Sequence, residues 1–326
     1  MEIGKIPPEM LKRVVLNKLT ERRKEVIVRS ETGQDSVFID TNNLPIVTST
    51  DPITGGVHNI GWFALHIACN DLAANGAEPI GVLITIMLPP GTKENELEKI
   101  MEDASKAAKE LNIDILGGHT EVTQAVNRTI ISTTAFGKPM SDNLVISKAA
   151  KPGMDIVLTK GAGIEGTAIL ASVKEGFLKD KLSSDVLSHA KSLEKQISVV
   201  PESKIATRIG TAAMHDVTEG GVLGALYEVV QASKCGFIVD YEKIPILEST
   251  KEICRVFAID PLRLISSGSM LIFTNNGEEI VKELENQNIY SAIIGKTIDK
   301  NQHILIKNKS HIEINEPQSD ELWKII

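Results

Sequence analysis

A chain of 326 residues with 35 Lys and Arg against 43 Asp and Glu, formal net charge −8, is about twice the length of a typical domain. Its composition, 42% hydrophobic and 24% charged, supports a sizeable core and excludes a disordered, collagen-like or coiled-coil chain as a global description. The acidic balance argues against a nucleic-acid partner, which demands a basic patch. Small anions stay open, because backbone N–H groups and metal ions hold phosphate without a basic surface.

Cys69, Cys235 and Cys254 are far apart and form no Cys-x-x-Cys pair, so neither a zinc site nor a disulfide framework is expected. The opening residues Met1–Pro8 lack an apolar signal region, and the longest apolar stretch, around Val82–Leu88, is too short to span a bilayer. The reading is a cytoplasmic protein with no membrane partner.

In chain order, Pro7-Pro8 followed by Met10, Leu11, Val14, Val15 and Leu19 reads as a short amphipathic helix. A strand at Val26–Val28, a turn at Thr32–Asp35 and strands at Ser36–Asp40 and Pro45–Thr50 follow, the last running into Asp51. Ile60, Phe63, Ala64, Ile67, Ala68 and Leu72 keep helical spacing and carry Asp71 near the helix end. Then come a buried strand at Gly81–Leu88, a helix at Lys93–Leu111, a strand at Ile113–Leu116 entering a Gly117-Gly118-His119-Thr120 loop, and a strand at Thr129–Phe136. Lys138–Gly153, with two prolines and mixed charge, reads as a linker. The second half opens with a strand at Asp155–Thr159 and a glycine loop, then helices near 186–198 and 202–213. The loop His215–Gly221 leads a helix to about Ala232, and Cys254 sits on a helix with Ile253 and Phe257. Strands are expected at Phe237–Val239, Ser269–Phe273, Ala292–Ile294, His303–Ile306 and His311–Ile314. Strands in runs as well as alternating with helices favour an α+β chain in two domains, 1–140 and 151–326.

Gly161-x-Gly163-x-x-Gly166 fits a dinucleotide fingerprint, but no second strand ending in an acidic ribose-binding residue follows. It reads as a tight strand-to-helix turn, and an oxidoreductase is rejected. Asp35, Asp51 and Asp71 lie in a turn, at a strand end and at a helix end. Singly each is an ordinary turn or cap residue; jointly they suit a hard divalent cation, which takes one or two carboxylates plus phosphate oxygens. Gly117-Gly118-His119-Thr120 combines close backbone approach with two donors, and Asp216-x-Thr218-x-Gly220-Gly221 opens a helix whose dipole and free N–H groups favour an anion.

This combination resembles the PurM-like, or AIR synthase-related, superfamily of ATP-dependent enzymes. The likeness rests on the Gly33-x-Asp35 turn, Thr50-Asp51, Asn70-Asp71-Leu72-Ala73 with Gly76-Ala77, Gly117–Thr120, and Asp216–Gly221, and covers essentially the whole chain. Within the superfamily the chain is most similar to the HypE group of hydrogenase-maturation proteins. The resemblance implies an N-terminal α/β domain that pairs into a dimeric β-barrel, a C-terminal α/β domain, and MgATP between them. It implies metal ligation by Asp35, Asp51 and Asp71, nucleotide contacts from Gly33, Gly117, Gly118, Thr120 and Thr218, and catalytic roles for Asp71, His119 and Asp216. The implied cofactors are ATP and Mg²⁺, the implied partners a small-molecule substrate and a second copy of the chain. Its chemistry is phosphoryl transfer to an amide- or carboxylate-type oxygen; the alternatives are a nucleotide-binding regulator or maturation partner and a kinase resembling thiamine-phosphate kinase. Two departures stand out: Gln34 precedes Asp35 where family members often have a second aspartate, and the sequence closes on Glu321–Ile326 without HypE's tail cysteine. Asn59, Trp62 and Glu165 are candidates for lining the substrate pocket.

Overall fold

The computed structural model describes residues 9, 26–28, 34, 36–41, 45–54, 59–316 and 319–326. The expected opening helix, Gly33 and Asp35 lie outside these residues. Six strands, β1 (Val26–Val28), β2 (Val37–Asp40), β3 (Pro45–Ile53), β4 (Ala77–Leu88), β5 (Asp114–Val122) and β6 (Ile130–Pro139), form one sheet in the order β1-β2-β3-β6-β4-β5. All neighbours are antiparallel except the parallel pair β4–β5. Alternation sets its faces: Val47 and Ser49 of β3 are buried while Ile46 and Thr50 are exposed, and Ile131, Thr133 and Ala135 of β6 point inward.

Helix α1 (Ile60–Ala74) covers the inward face, and every one of its 15 residues is buried. A helix apolar on all sides must be enclosed on all sides, and the core joins it both to the sheet, through Phe38, Val47 and Ile131, and to second-half residues Ile197, Val200, Met214 and Met270. Helix α2 (Glu94–Leu111) is amphipathic and lays Ile100, Ala104, Ala107 and Ala108 on α1. The approach needs Gly61, where a Cβ would stand 2.1 Å from the Ile100 carbonyl oxygen.

The second half supplies a mixed sheet in the order β13-β12-β9-β11-β7-β10-β8, from β7 (Asp155–Thr159), β8 (Ala213–Asp216), β9 (Gly236–Asp240), β10 (Met270–Thr274), β11 (Ser291–Ile298), β12 (His303–Lys307) and β13 (Ser310–Glu313). Around it lie α3 (Ile164–Val173), α4 (Glu175–Leu178), α5 (Ser184–Ser192), α6 (Val200–Ile209), α7 (Gly221–Ser233), α8 (Glu248–Phe257) and α9 (Gly277–Asn286). Several elements differ from expectation, among them the short helix α4. The predicted helix 202–213 stops at Ile209 and yields to strand β8, and helix α9 lies where the sequence reading places no element. Among the described residues no helix is long and apolar enough to cross a membrane.

The halves are stitched through α1. Asn70 donates from Nδ2 to the Ile197 carbonyl at 2.7 Å and accepts the Val199 N–H at 2.9 Å, while the Ser203 hydroxyl donates to the Ala73 carbonyl. Strand β8 also packs against α1.

Candidate nucleotide site

Asp71 sits in the last turn of α1, 4% exposed, and its Oδ2 accepts the Ser49 hydroxyl of β3 at 2.5 Å. Asp51 is two residues beyond Ser49 on the same inward face, about 7 Å further along the strand by strand geometry. The register then carries one row across the sheet. Asp51 pairs with Thr133 of β6, Thr133 with Ile84 of β4, and Ile84 with Gly118 of β5. Three interstrand steps put Asp51 and Gly118 about 14 Å apart at opposite ends of that row.

The Gly-Gly-His-Thr motif is not the loop expected after a strand; β5 continues through it to Val122 as an exposed sheet edge. Leu116 is an extra residue opposite the Val82–Leu83 step, a bulge that precedes the two glycines. Gly118 has φ +153°, and a Cβ there would lie 1.8 Å from the Ile84 carbonyl oxygen, so the glycine serves the strand's own close approach. Thr120 pairs with Ile86 and shares the inward face with Gly118. His119 pairs with Thr85 on the other face, with its Nε2 3.4 Å from Glu121 Oε2. The structure therefore brings Asp51, Asp71, Gly118 and Thr120 to one face and leaves His119 off it.

Gln34 is more than a missing ligand. Its Nε2 donates to the Ser36 carbonyl at 2.8 Å and to Asn75 Oδ1 at 2.7 Å, and its Oε1 accepts the Ser147 N–H at 3.1 Å. Asn75 in turn donates to the Asp71 carbonyl at 3.0 Å, which also accepts the Ser36 hydroxyl at 3.0 Å. An aspartate cannot supply the donors this buried network uses. Among the described residues no three His, Cys, Asp or Glu side chains form a metal cluster. The hard carboxylate oxygens of Asp51 and Asp71 nonetheless suit Mg²⁺.

On the other half, Asp216 closes β8 at 2% exposure. His215 beside it bonds the Asp216 carbonyl through Nδ1 at 2.7 Å and Glu228 Oε2 through Nε2 at 3.1 Å, which fixes it as a structural residue. Thr218 accepts the Gly221 N–H through its carbonyl at 3.1 Å, shaping the turn into α7. The expectation of free N–H groups there needs correction. The Gly220 N–H is already taken, at 2.7 Å, by Asp320 Oδ2 from the far end of the chain.

The Gly161–Gly166 loop is filled by its own chain. A Cβ on Gly166 would lie 2.4 Å from the Leu264 side chain and one on Gly161 3.1 Å from the Pro245 carbonyl oxygen, which leaves no cradle for a dinucleotide. Trp62 is also no pocket residue: it is 8% exposed, and its Nε1 donates to Glu110 of α2 at 3.1 Å.

Glu165, in the first turn of α3, is 8% exposed. Burial pushes its carboxyl up to about 7, opposed by hydrogen bonds from Ser267 and reinforced by the Asp320 and Glu219 carboxylates. A carboxyl raised above its unfolded value favours folding most when protonated, so this contribution is lost as pH rises from about 4.5 to 7. Glu165→Gln removes that penalty. It is expected to stabilise the protein by on the order of 2 kcal/mol at pH 8 and negligibly at pH 4.5. Thermal melts at both values check this, and an equal shift at both rejects the buried-charge explanation.

The sequence profile described as AIR synthase related protein, N-terminal domain, matches residues 33–138, and the corresponding C-terminal domain profile matches residues 151–308. The chain belongs to the AIR synthase-related family. It is 30% identical over 275 residues to a provisionally named hydrogenase expression/formation protein of Methanocaldococcus jannaschii, spanning 82% of this chain and 79% of that one. It is 27% identical to the carbamoyl dehydratase HypE of Rhizobium leguminosarum bv. viciae, over 65% of this chain and 59% of that protein. Among solved structures, a HypE–HypF complex gives a TM-score of 0.79 at 22% identity, covering 94% of this chain and 99% of the other. HypE in complex with ATP gives 0.74 at 21% identity (96% and 95% covered), and the kinase AaThiL with AMPPCP and TMP gives 0.74 at 16% (95% and 97%). The fold is the two-domain PurM-like one. Among the described residues its first sheet does not close into a barrel within one chain.

Proposed function

We propose that the protein is an ATP-dependent enzyme that activates an amide- or carboxylate-type oxygen of a free small molecule by phosphoryl transfer. The observation that carries this reading is the convergence of Asp71, clasped by Ser49, with Asp51 on the inward face that leads along one row to Gly118. The AIR synthase-related relatives that bind ATP or its analogue support the same nucleotide.

In this reading Asp51, Asp71 and Asp35 hold Mg²⁺, whose charge offsets that of the triphosphate. Gly118 and Thr120 line the nucleotide from the exposed edge of β5, and Asp216 and Thr218 meet it from the second domain. In this reading the protein's own part is positioning and charge stabilisation of the transferring group. His119 is assigned no step, because it projects from the opposite face.

The buried cysteines favour a free acceptor over any of their three thiols. Cys69, Cys235 and Cys254 are all buried. Burial, with the Asp260 and Glu321 carboxylates nearby, pushes the Cys254 thiol up to about 12, and burial also raises the other two. None of the three presents a thiolate to a carbamoyl donor.

We further propose the domain division at 1–140 and 151–326 and a homodimer in which two copies complete a barrel through the first sheet. The outward face and edge of that sheet expose Ile46 at 39%, Leu83 at 40%, Ile80 at 50% and Leu116 at 55%. A mass of twice 35.4 kDa by light scattering is the expected result.

The activity is tested by incubating the protein with MgATP and fractionated metabolites. Phosphate release that depends on one fraction identifies the acceptor class. A phosphorylated product that persists identifies a kinase, and binding without turnover identifies a regulator.

A further inference from the structure

We propose that the segment Asp320–Trp323 is a strap that positions the Asp216–Gly221 loop, with Asp320 as its positioning residue. The proposal rests on reading that loop as a nucleotide contact. Two consecutive loop residues are held by this one segment from about a hundred positions away. Asp320 Oδ2 accepts the Gly220 N–H at 2.7 Å, and Trp323 Nε1 donates to Glu219 Oε1 at 2.7 Å. Asp320 Oδ1 meanwhile accepts the Leu322 N–H at 2.8 Å, so the carboxylate bridges the strap's own turn and the loop.

The strap adds to the constraints the loop already has, the Gly221 N–H bond to the Thr218 carbonyl and the Val217 N–H bond to the Ser269 carbonyl. Gly220 and Gly221 both take left-handed conformations, φ +85° and +62°, which glycine adopts without steric cost. Helix α7, which they open, has no side-chain N-cap of its own. Asp320 instead accepts the N–H of Gly220, the residue at the N-cap position, so a distant carboxylate satisfies one donor at the start of α7.

The strap is anchored independently of the carboxylate. Leu322 is 3% exposed and packs in the apolar cluster of Leu170, Ile253, Cys254 and Leu264. Docking the segment therefore does not require a buried acid. Asp320 is nonetheless 3% exposed, and burial pushes its carboxyl up to about 6 against the hydrogen bonds from Leu322, Gly220 and Ile265. The charged groups facing it are Glu219 from the loop and Glu165 from α3, both acidic, while Glu321 and Lys324 of its own segment pair with each other at 2.8 Å. A carboxylate kept at that cost, bonded to the loop's last residue before α7, acts on the loop's shape.

The test compares wild type, Asp320→Asn and Trp323→Phe by calorimetric titration with MgATP, amide hydrogen exchange across 217–222, and melting temperature. At pH 8, Asp320→Asn is expected to weaken MgATP binding about tenfold, and Trp323→Phe, which keeps an aromatic ring but loses the indole donor, about threefold. Exchange across 217–222 is expected to speed up in both, and for Asp320→Asn the ratio of variant to wild-type Kd should narrow toward one below pH 6. A folded variant with wild-type affinity and wild-type exchange overturns the strap, and Trp323→Phe decides alone if Asp320→Asn fails to fold. If wild type binds no MgATP, faster exchange in the variants keeps the strap and rejects the nucleotide reading, whereas unchanged exchange rejects the strap itself.

Discussion

Lys160→Met is expected to cost about 3–5 kcal/mol of folding stability, because it leaves a buried carboxylate without its counter-charge. Lys160 directly follows β7, and its Nζ lies 2.5 Å from Glu202 Oε1, with the lysine 13% and the glutamate 0% exposed at the side chain. The same ammonium donates to the Ser198 carbonyl at 2.6 Å and the Gly268 carbonyl at 2.8 Å, so three segments of the second half meet on one charge. Methionine fills a similar volume and satisfies none of these acceptors. The loss should fall mainly on Glu202, which leads to a sharper test. Lys160→Met combined with Glu202→Leu, which removes both charges, should recover most of the stability, as replaced buried ion pairs commonly do. Denaturant titrations of the three proteins decide the matter. A double variant no better than the single one would place the cost on the carbonyls and the packing instead.

Asp71→Asn is expected to weaken MgATP binding by roughly a hundredfold, the upper end of what losing even an outer partner of a metal ligand costs. Stability should change by less than about 1 kcal/mol, since the asparagine oxygen still accepts the Ser49 hydroxyl. The main-chain bonds from Ser36 and Asn75 to the Asp71 carbonyl do not depend on the side chain at all. This separation of binding from folding is the signature of a ligand position. Parallel loss of both in calorimetry and melting would make Asp71 a structural residue of the α1 end.

Much of the scaffold is readable from spacing. The helical recurrence from Ile60 to Leu72 locates α1, and the apolar runs locate β4, β7 and β10. Strand β8 is harder, because only four residues form it and two of them, His215 and Asp216, are buried polar groups that read as a loop. The acidic positions are visible as motifs, yet their alignment with Gly118 exists only through the β3-β6-β4-β5 register, which no local pattern encodes. Trp62 looks like a pocket residue until its Nε1 is seen bonded to Glu110 on the next helix. Gln34 looks like a lost ligand until its three hydrogen bonds are counted as part of the network beneath Asp71. Asp320 carries no signal at all in the sequence. It is one aspartate among many, and only the fold brings it to Gly220.

Calorimetric titration of the wild-type protein with ATP, with and without Mg²⁺, decides whether the first sheet and the Asp216 loop together hold a magnesium nucleotide. Saturable binding that requires the metal is the expected result. A folded protein that takes up no ATP under either condition rejects the nucleotide site and leaves the AIR synthase-related fold alone.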